Sequence, residues 1–150
     1  MTTDQIHARS TPVVITAGVR RAYAISIGIS ALFVVFQYFT SGEFITDDIP
    51  DGARELWTNL HGFGAYPVMV FALLAAVVAF ARLRDVRGLW LATAAYFAVT
   101  VVQWLLGHAI STLHIDALTP LHVVVAAAVV GLAVWLSVRS ARLRRAVSEG

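Results

Sequence analysis

Apolar and polar positions separate along this chain into four long runs of Ala, Val, Leu, Ile and Phe, divided by short charged segments. The runs cover roughly residues 23–39, 57–80, 89–107 and 121–138, and none holds an Asp, Glu, Lys or Arg. Crossing hydrocarbon about 30 Å thick at about 1.5 Å per residue takes about 20 residues. Each run therefore predicts a membrane-spanning helix. Polar residues inside the runs keep helical spacing. Ser26, Ser30, Phe33 and Gln37 recur at 4, 3, 4 in the first run, and Tyr96, Thr100, Gln103 and Gly107 do the same in the third. Each set lies along one helix face. The second and fourth runs carry His61, Ala65, Val68, Ala72 and His122, Ala126, Val129, Ala133, so a small-residue face follows each histidine. Small residues let helices approach closely in lipid.

The segments between the runs predict where the helices stop. Residues 1–16 mix polar residues with Pro12 and form a lead-in. The first run is longer than the core of a secretion signal and no Ala-x-Ala site follows it, so it is expected to be a retained span. Gly42, Pro50 and Gly52 among acidic residues predict an irregular loop over 40–56. A shorter one is expected over 109–120, and Asp85 with Gly88 marks the middle turn. The resulting fold class is an all-α membrane protein, a four-transmembrane-helix bundle occupying residues 1–150 as a single domain.

Composition agrees and adds orientation. The chain is 59% hydrophobic and 13% charged, with mean hydropathy +0.76, more apolar than an ordinary soluble domain. All 11 basic residues are Arg. Arg9, Arg20 and Arg21 precede the first run, Arg82, Arg84 and Arg87 join the second to the third, and Arg139, Arg142, Arg144 and Arg145 follow the fourth. Only Arg54 lies on the opposite side, with Glu43, Asp47, Asp48, Asp51, Glu55 and Asp116. Short Arg-rich loops stay cytoplasmic, so both termini are expected inside a plasma membrane. Arginines flanking spans are better explained by anionic lipid than by nucleic acid. Abundant Ala, Val and Arg without Lys fit a GC-rich bacterial genome. No cysteine is present, which excludes disulfides, iron–sulfur clusters and thiolate-bound metals.

Setting the first hairpin on the second aligns Val35-Phe36-Gln37-Tyr38-Phe39 with Val101-Val102-Gln103-Trp104-Leu105, and Leu60-His61 with Leu121-His122. The pattern predicts two duplicated hairpins related by an axis along the membrane normal. His61 and His122 then face each other across that axis, about 7 Å and about 5 Å inside their helix starts. Ionisable residues within membrane helices mark functional sites by default. Two imidazoles at one depth could ligate a haem between facing helices. In that reading Gln37 and Gln103 support the histidines, Gly64 and Gly107 leave room for the ring edge, and Arg54 partners a propionate. Pro67 should free the Phe63 carbonyl and kink its helix. His108 and His114 also fall on the outer side and offer an alternative Zn or Cu site with a core histidine, or are simply interfacial. His7 is expected to be a solvated tail residue. A cofactor-free alternative uses His61 and His122 for interhelical hydrogen bonds to the glutamines, in an accessory subunit of a larger membrane complex.

The run Gln103-Trp104-Leu105-Leu106-Gly107, followed by Pro120-Leu121-His122 and Ala126, resembles one half of the haem A synthase family. That resemblance covers about residues 23–138. It implies a four-helix bundle with haem b held by His61 and His122 on the second and fourth helices. The family's Glu three residues before the first histidine and Arg just after it are replaced by Thr58 and Gly62. The resemblance thus carries the fold and the haem site, and not the catalytic carboxylate. The expected function is a bis-His membrane cytochrome in electron transfer or haem handling. Its expected partners are the bilayer, a redox partner or quinone, and a second copy or a larger complex.

Overall fold

The computed structural model describes residues 15–46, 48–86 and 88–145; His7, Arg9, Asp47 and Arg87 lie outside them. Four long helices account for nearly everything described: α1 (Ala17–Ile45), α2 (Asp51–Arg82), α3 (Leu89–Leu113) and α4 (Thr119–Arg145), with a 3-10 turn at Asp116–Leu118 before α4. All four helical segments are long and apolar enough to cross a membrane. Among the described residues there is no strand.

The helix ends follow local chemistry. Thr16 caps α1 by accepting from the Val19 N–H at 3.3 Å, which satisfies a donor that the first turn leaves without a partner. Gly88 precedes α3 at φ 75°, a left-handed conformation that glycine adopts without a Cβ penalty. The expected turn at Asp85 and Gly88 is therefore present. The expected irregular loop over 40–56 is not. α1 continues to Ile45 and α2 begins at Asp51, so only residues 46–50 connect them. The short connection is held by a side chain that reaches from α2 back to the end of α1. Arg54 donates to the carbonyls of Phe44 at 2.6 Å and Thr46 at 3.0 Å, tying the end of α1 to the start of α2. The second loop is shortened likewise, since α3 runs to Leu113 and α4 starts at Thr119. α2 continues through Pro67.

The helices pack in cyclic order, each against its two neighbours, with α1 on α2 the closest partnership. Two hydrogen bonds cross the diagonal from α1 to α3. Tyr23 Oη lies 2.9 Å from Thr93 Oγ1, and Ser30 Oγ lies 2.8 Å from Tyr96 Oη, where the Ser30 hydroxyl is also 3.0 Å from the Val68 carbonyl. These buried hydroxyls close the bundle axis with polar groups that all have partners.

Burial repeats between the hairpins with fixed offsets. Tyr23, Ile27, Ser30 and Val34 are buried on α1, and adding 66 to each number gives Leu89, Thr93, Tyr96 and Thr100, the buried set of α3. Val68, Ala72, Ala75 and Ala79 are buried on α2, and adding 61 gives Val129, Ala133, Leu136 and Ser140, the buried set of α4. On α1 Ser26 and Ser30 of the expected face are buried, and the stripe continues with Val34 buried while Phe33 packs partly buried against the core.

Packing is also uneven along the axis. Almost every buried residue lies between the Val34, Val68, Thr100 and Val129 level and the arginine-rich end. Towards the other end only Thr40 and Gly64 are buried among the described residues. The bundle is closed at its arginine end and looser at the end that carries the histidines.

Candidate functional site: two glutamine–histidine pairs

His61 and His122 both lie in the loosely packed half, one on α2 and one on α4, and each meets the glutamine of the preceding helix. His61 Nδ1 is 3.1 Å from the Gln37 backbone carbonyl oxygen and 3.1 Å from Thr40 Oγ1. A carbonyl has no proton to give, so Nδ1 carries the hydrogen and donates. Nε2 is left with its lone pair free, the arrangement by which a histidine is readied as a ligand. The backbone is fixed as well, because Gln37 Nε2 donates to the His61 carbonyl at 2.8 Å. Phe44 meets the imidazole edge-on with ring centres 5.3 Å apart.

The second pair is built differently. Gln103 Nε2 lies 3.0 Å from His122 Nε2. An amide nitrogen only donates, so this ring nitrogen accepts and Nδ1 carries the hydrogen. His122 Nδ1 and Gln103 Oε1 are both buried without a hydrogen-bond partner. Turning the amide over would exchange donor and acceptor and still leave one ring nitrogen and one amide atom unsatisfied. An unpaired buried polar atom costs about 1–3 kcal/mol. The repeat supplies the reason: the position 66 beyond Thr40 is Leu106, so the hydroxyl that reaches the first imidazole has no counterpart at the second.

The two glycines assigned to a ring edge do different work. Gly64 is buried because the Gln37 side chain occupies the space a Cβ would take, with Phe36 ring carbons 3.1 Å from it. At Gly107 a Cβ would meet His122 Cε1 at 3.1 Å. Both thus admit a neighbouring side chain of the site itself. Gly62 faces open space.

The remaining candidates lie apart from the pairs or are already engaged. Arg54 is engaged by the α1 carbonyls. His108 sits on α3 and stacks on Trp104, ring centres 5.5 Å apart and 16° between planes, with Nδ1 3.3 Å from Thr112 Oγ1. His114 ends α3 in the left-handed region at φ 55° and is exposed. Among the described residues no group of three or more His, Cys, Asp or Glu gathers at metal-binding distance. Thr40 and Phe44 went unmarked by sequence reasoning, although they follow Gln37 by three and seven residues and share its helix face.

Fold and site together define an all-helical four-helix bundle of membrane-crossing dimensions with a repeated glutamine–histidine pairing at one end. No family model matches the chain, and no curated protein or solved structure matches it either.

Proposed function

We propose that the chain is a multi-pass plasma-membrane protein of two duplicated hairpins, with both termini cytoplasmic, that binds one b-type haem through His61 and His122. The observation that carries the reading is the state of the two imidazoles. His61 presents a free Nε2 lone pair because the Gln37 backbone carbonyl holds the Nδ1 hydrogen, and His122 keeps a buried Nδ1 without a hydrogen-bond partner, which carries a lone pair once the Gln103 amide is turned so that Nε2–H donates to Oε1. The repeat of burial at offsets of 66 and 61 supports the duplication. The arginine distribution supports the orientation.

The donor set fits the group: two neutral imidazoles on diagonal helices, in the half of the bundle where packing is loose. Bound there, haem would supply one-electron exchange, with His61 and His122 as the residues that would hold it. The protein's part is positional. The Gln37 backbone carbonyl orients the His61 ring and fixes its tautomer, Thr40 adds a second polar contact, and Gln103 holds the His122 ring by its side-chain amide. The tightly packed arginine end excludes water from below.

The absorption spectrum of the full chain, expressed with haem available and purified in detergent, tests this. A Soret band is expected, with its bis-His signature lost in His61→Ala and in His122→Ala. A colourless protein, or a band unchanged in both variants, overturns the proposal. A second reading has its own observation: both histidines already hydrogen-bond to neighbouring helices, as they would in a cofactor-free subunit of a larger complex. Such a protein would be colourless and co-purify with a partner.

A further inference from the structure

The two imidazoles stand at matching places in the repeat but are held by unequal means. Three residues of α1 act on His61. The Gln37 backbone carbonyl and the Thr40 hydroxyl each lie 3.1 Å from Nδ1, and Phe44 meets the ring edge-on. Thr40 is fully buried, and Arg54 donates to the Phe44 carbonyl at 2.6 Å, which ties down the turn that carries Phe44. The polar contacts engage Nδ1 and leave Nε2 free. His122 is gripped at Nε2 instead, by the Gln103 side chain at 3.0 Å. Its Nδ1 has no hydrogen-bond partner, because Leu106 stands where the repeat of Thr40 would fall. The nitrogen that His61 offers freely is the one that His122 has already committed.

We infer that His61 is the permanent ligand of the site and His122 an exchangeable one, whose place a small neutral ligand of the carbon monoxide class takes. The inference rests on the haem reading and assigns that site a regulation of its own. His122 gains a free lone pair only by leaving Gln103 or by the amide turning over. His61 needs neither, since its hydrogen-bond partners already fix the ring and its tautomer. In the exchange the His122 imidazole gives up its coordinate bond, the incoming lone pair replaces it, and the freed nitrogen returns to the Gln103 amide. No electron or proton changes hands. Gln103 thus acts as a positioning residue that competes for the second imidazole and sets how readily that side opens.

The test uses the full chain loaded with haem in detergent, with carbon monoxide as the probe and the Soret band of the reduced protein as the signal. Haem loss to a scavenging apoprotein gives a second readout, and circular dichroism checks folding. The parent should bind carbon monoxide. His122→Ala should retain haem and bind the probe faster than the parent, whereas His61→Ala should lose haem to the scavenger much sooner. Leu106→Thr keeps both histidines and supplies the second hydroxyl, so it should weaken carbon monoxide binding about fivefold, the worth of one hydrogen bond. Thr40→Val removes the first hydroxyl and should speed haem loss by a similar factor. A reduced parent that does not bind carbon monoxide, equal haem retention by the two alanine variants, or unchanged binding in Leu106→Thr overturns the inequality and leaves the haem reading standing. A parent without a Soret band overturns both.

Discussion

Replacing Gly64 with alanine tests the site at its tightest point. The added methyl falls where the Gln37 side chain sits, and its Cβ would be 3.1 Å from two Phe36 ring carbons. The Gln37 amide must move, and with it goes the 2.8 Å hydrogen bond to the His61 carbonyl. Overpacking costs about 1–3 kcal/mol and the hydrogen bond about 1 kcal/mol. Alanine returns about 0.5–1 kcal/mol of helix propensity. Net destabilisation of about 1–3 kcal/mol is expected. Gly62→Ala is the internal control, because it lies two residues away on the same helix and faces open space. It should be neutral or stabilised by up to about 1 kcal/mol. Denaturant unfolding in mixed micelles, followed by circular dichroism, reads both. If Gly64→Ala is as stable as Gly62→Ala, the close approach of α1 to α2 at the Gln37–His61 pair is refuted.

Other consequences follow from specific contacts. Gly107→Ala should push the His122 ring away from α3, since the Cβ would stand 3.1 Å from Cε1; an unmoved His122 imidazole resonance in NMR spectra would contradict the packing. Ser30→Ala strands the buried Tyr96 hydroxyl and should cost about 1–3 kcal/mol. Adding Tyr96→Phe should cost less than the separate effects combined, with a coupling of about 0.6–2 kcal/mol in a double-mutant unfolding cycle. Additivity of the two substitutions would refute the bond. Arg54→Ala removes both donors to the α1 carbonyls. Amide exchange should accelerate at the end of α1 around residues 44–46, while the core near Tyr96 stays protected.

The four helices were legible because long uncharged runs leave few alternatives. Their ends were not, because Gly42 and Gly52 among acidic residues carry the composition of a loop while the backbone there continues as helix. What decides it is a contact between helices: Arg54 reaches across to Phe44 and Thr46, and no local pattern encodes that reach. On α1 the expected Ser26 and Ser30 are buried, while Val34 is buried more fully than Phe33; both positions satisfy a spacing of three or four, so the pattern does not choose between them. The glutamine–histidine pairs were legible from the repeat. Their division of labour was not, since a sequence cannot tell whether a glutamine meets an imidazole through its backbone or its side chain. The Gln37 backbone carbonyl meets one imidazole and the Gln103 side-chain amide meets the other.

Ser30 and Tyr96 occupy the same place in the two hairpins, 66 residues apart, yet bond to each other across the axis. A dimer of identical hairpins would bring two serines or two tyrosines to that point. Two serines would fall short of one another, and two phenols would compete for the same space. A short side chain opposite a long one needs two different hairpin sequences, which this polypeptide supplies by carrying both. At this crossing, covalent linkage lets the interior keep a symmetric frame while giving up symmetric side chains, so each half is specified to recognise the other rather than a copy of itself.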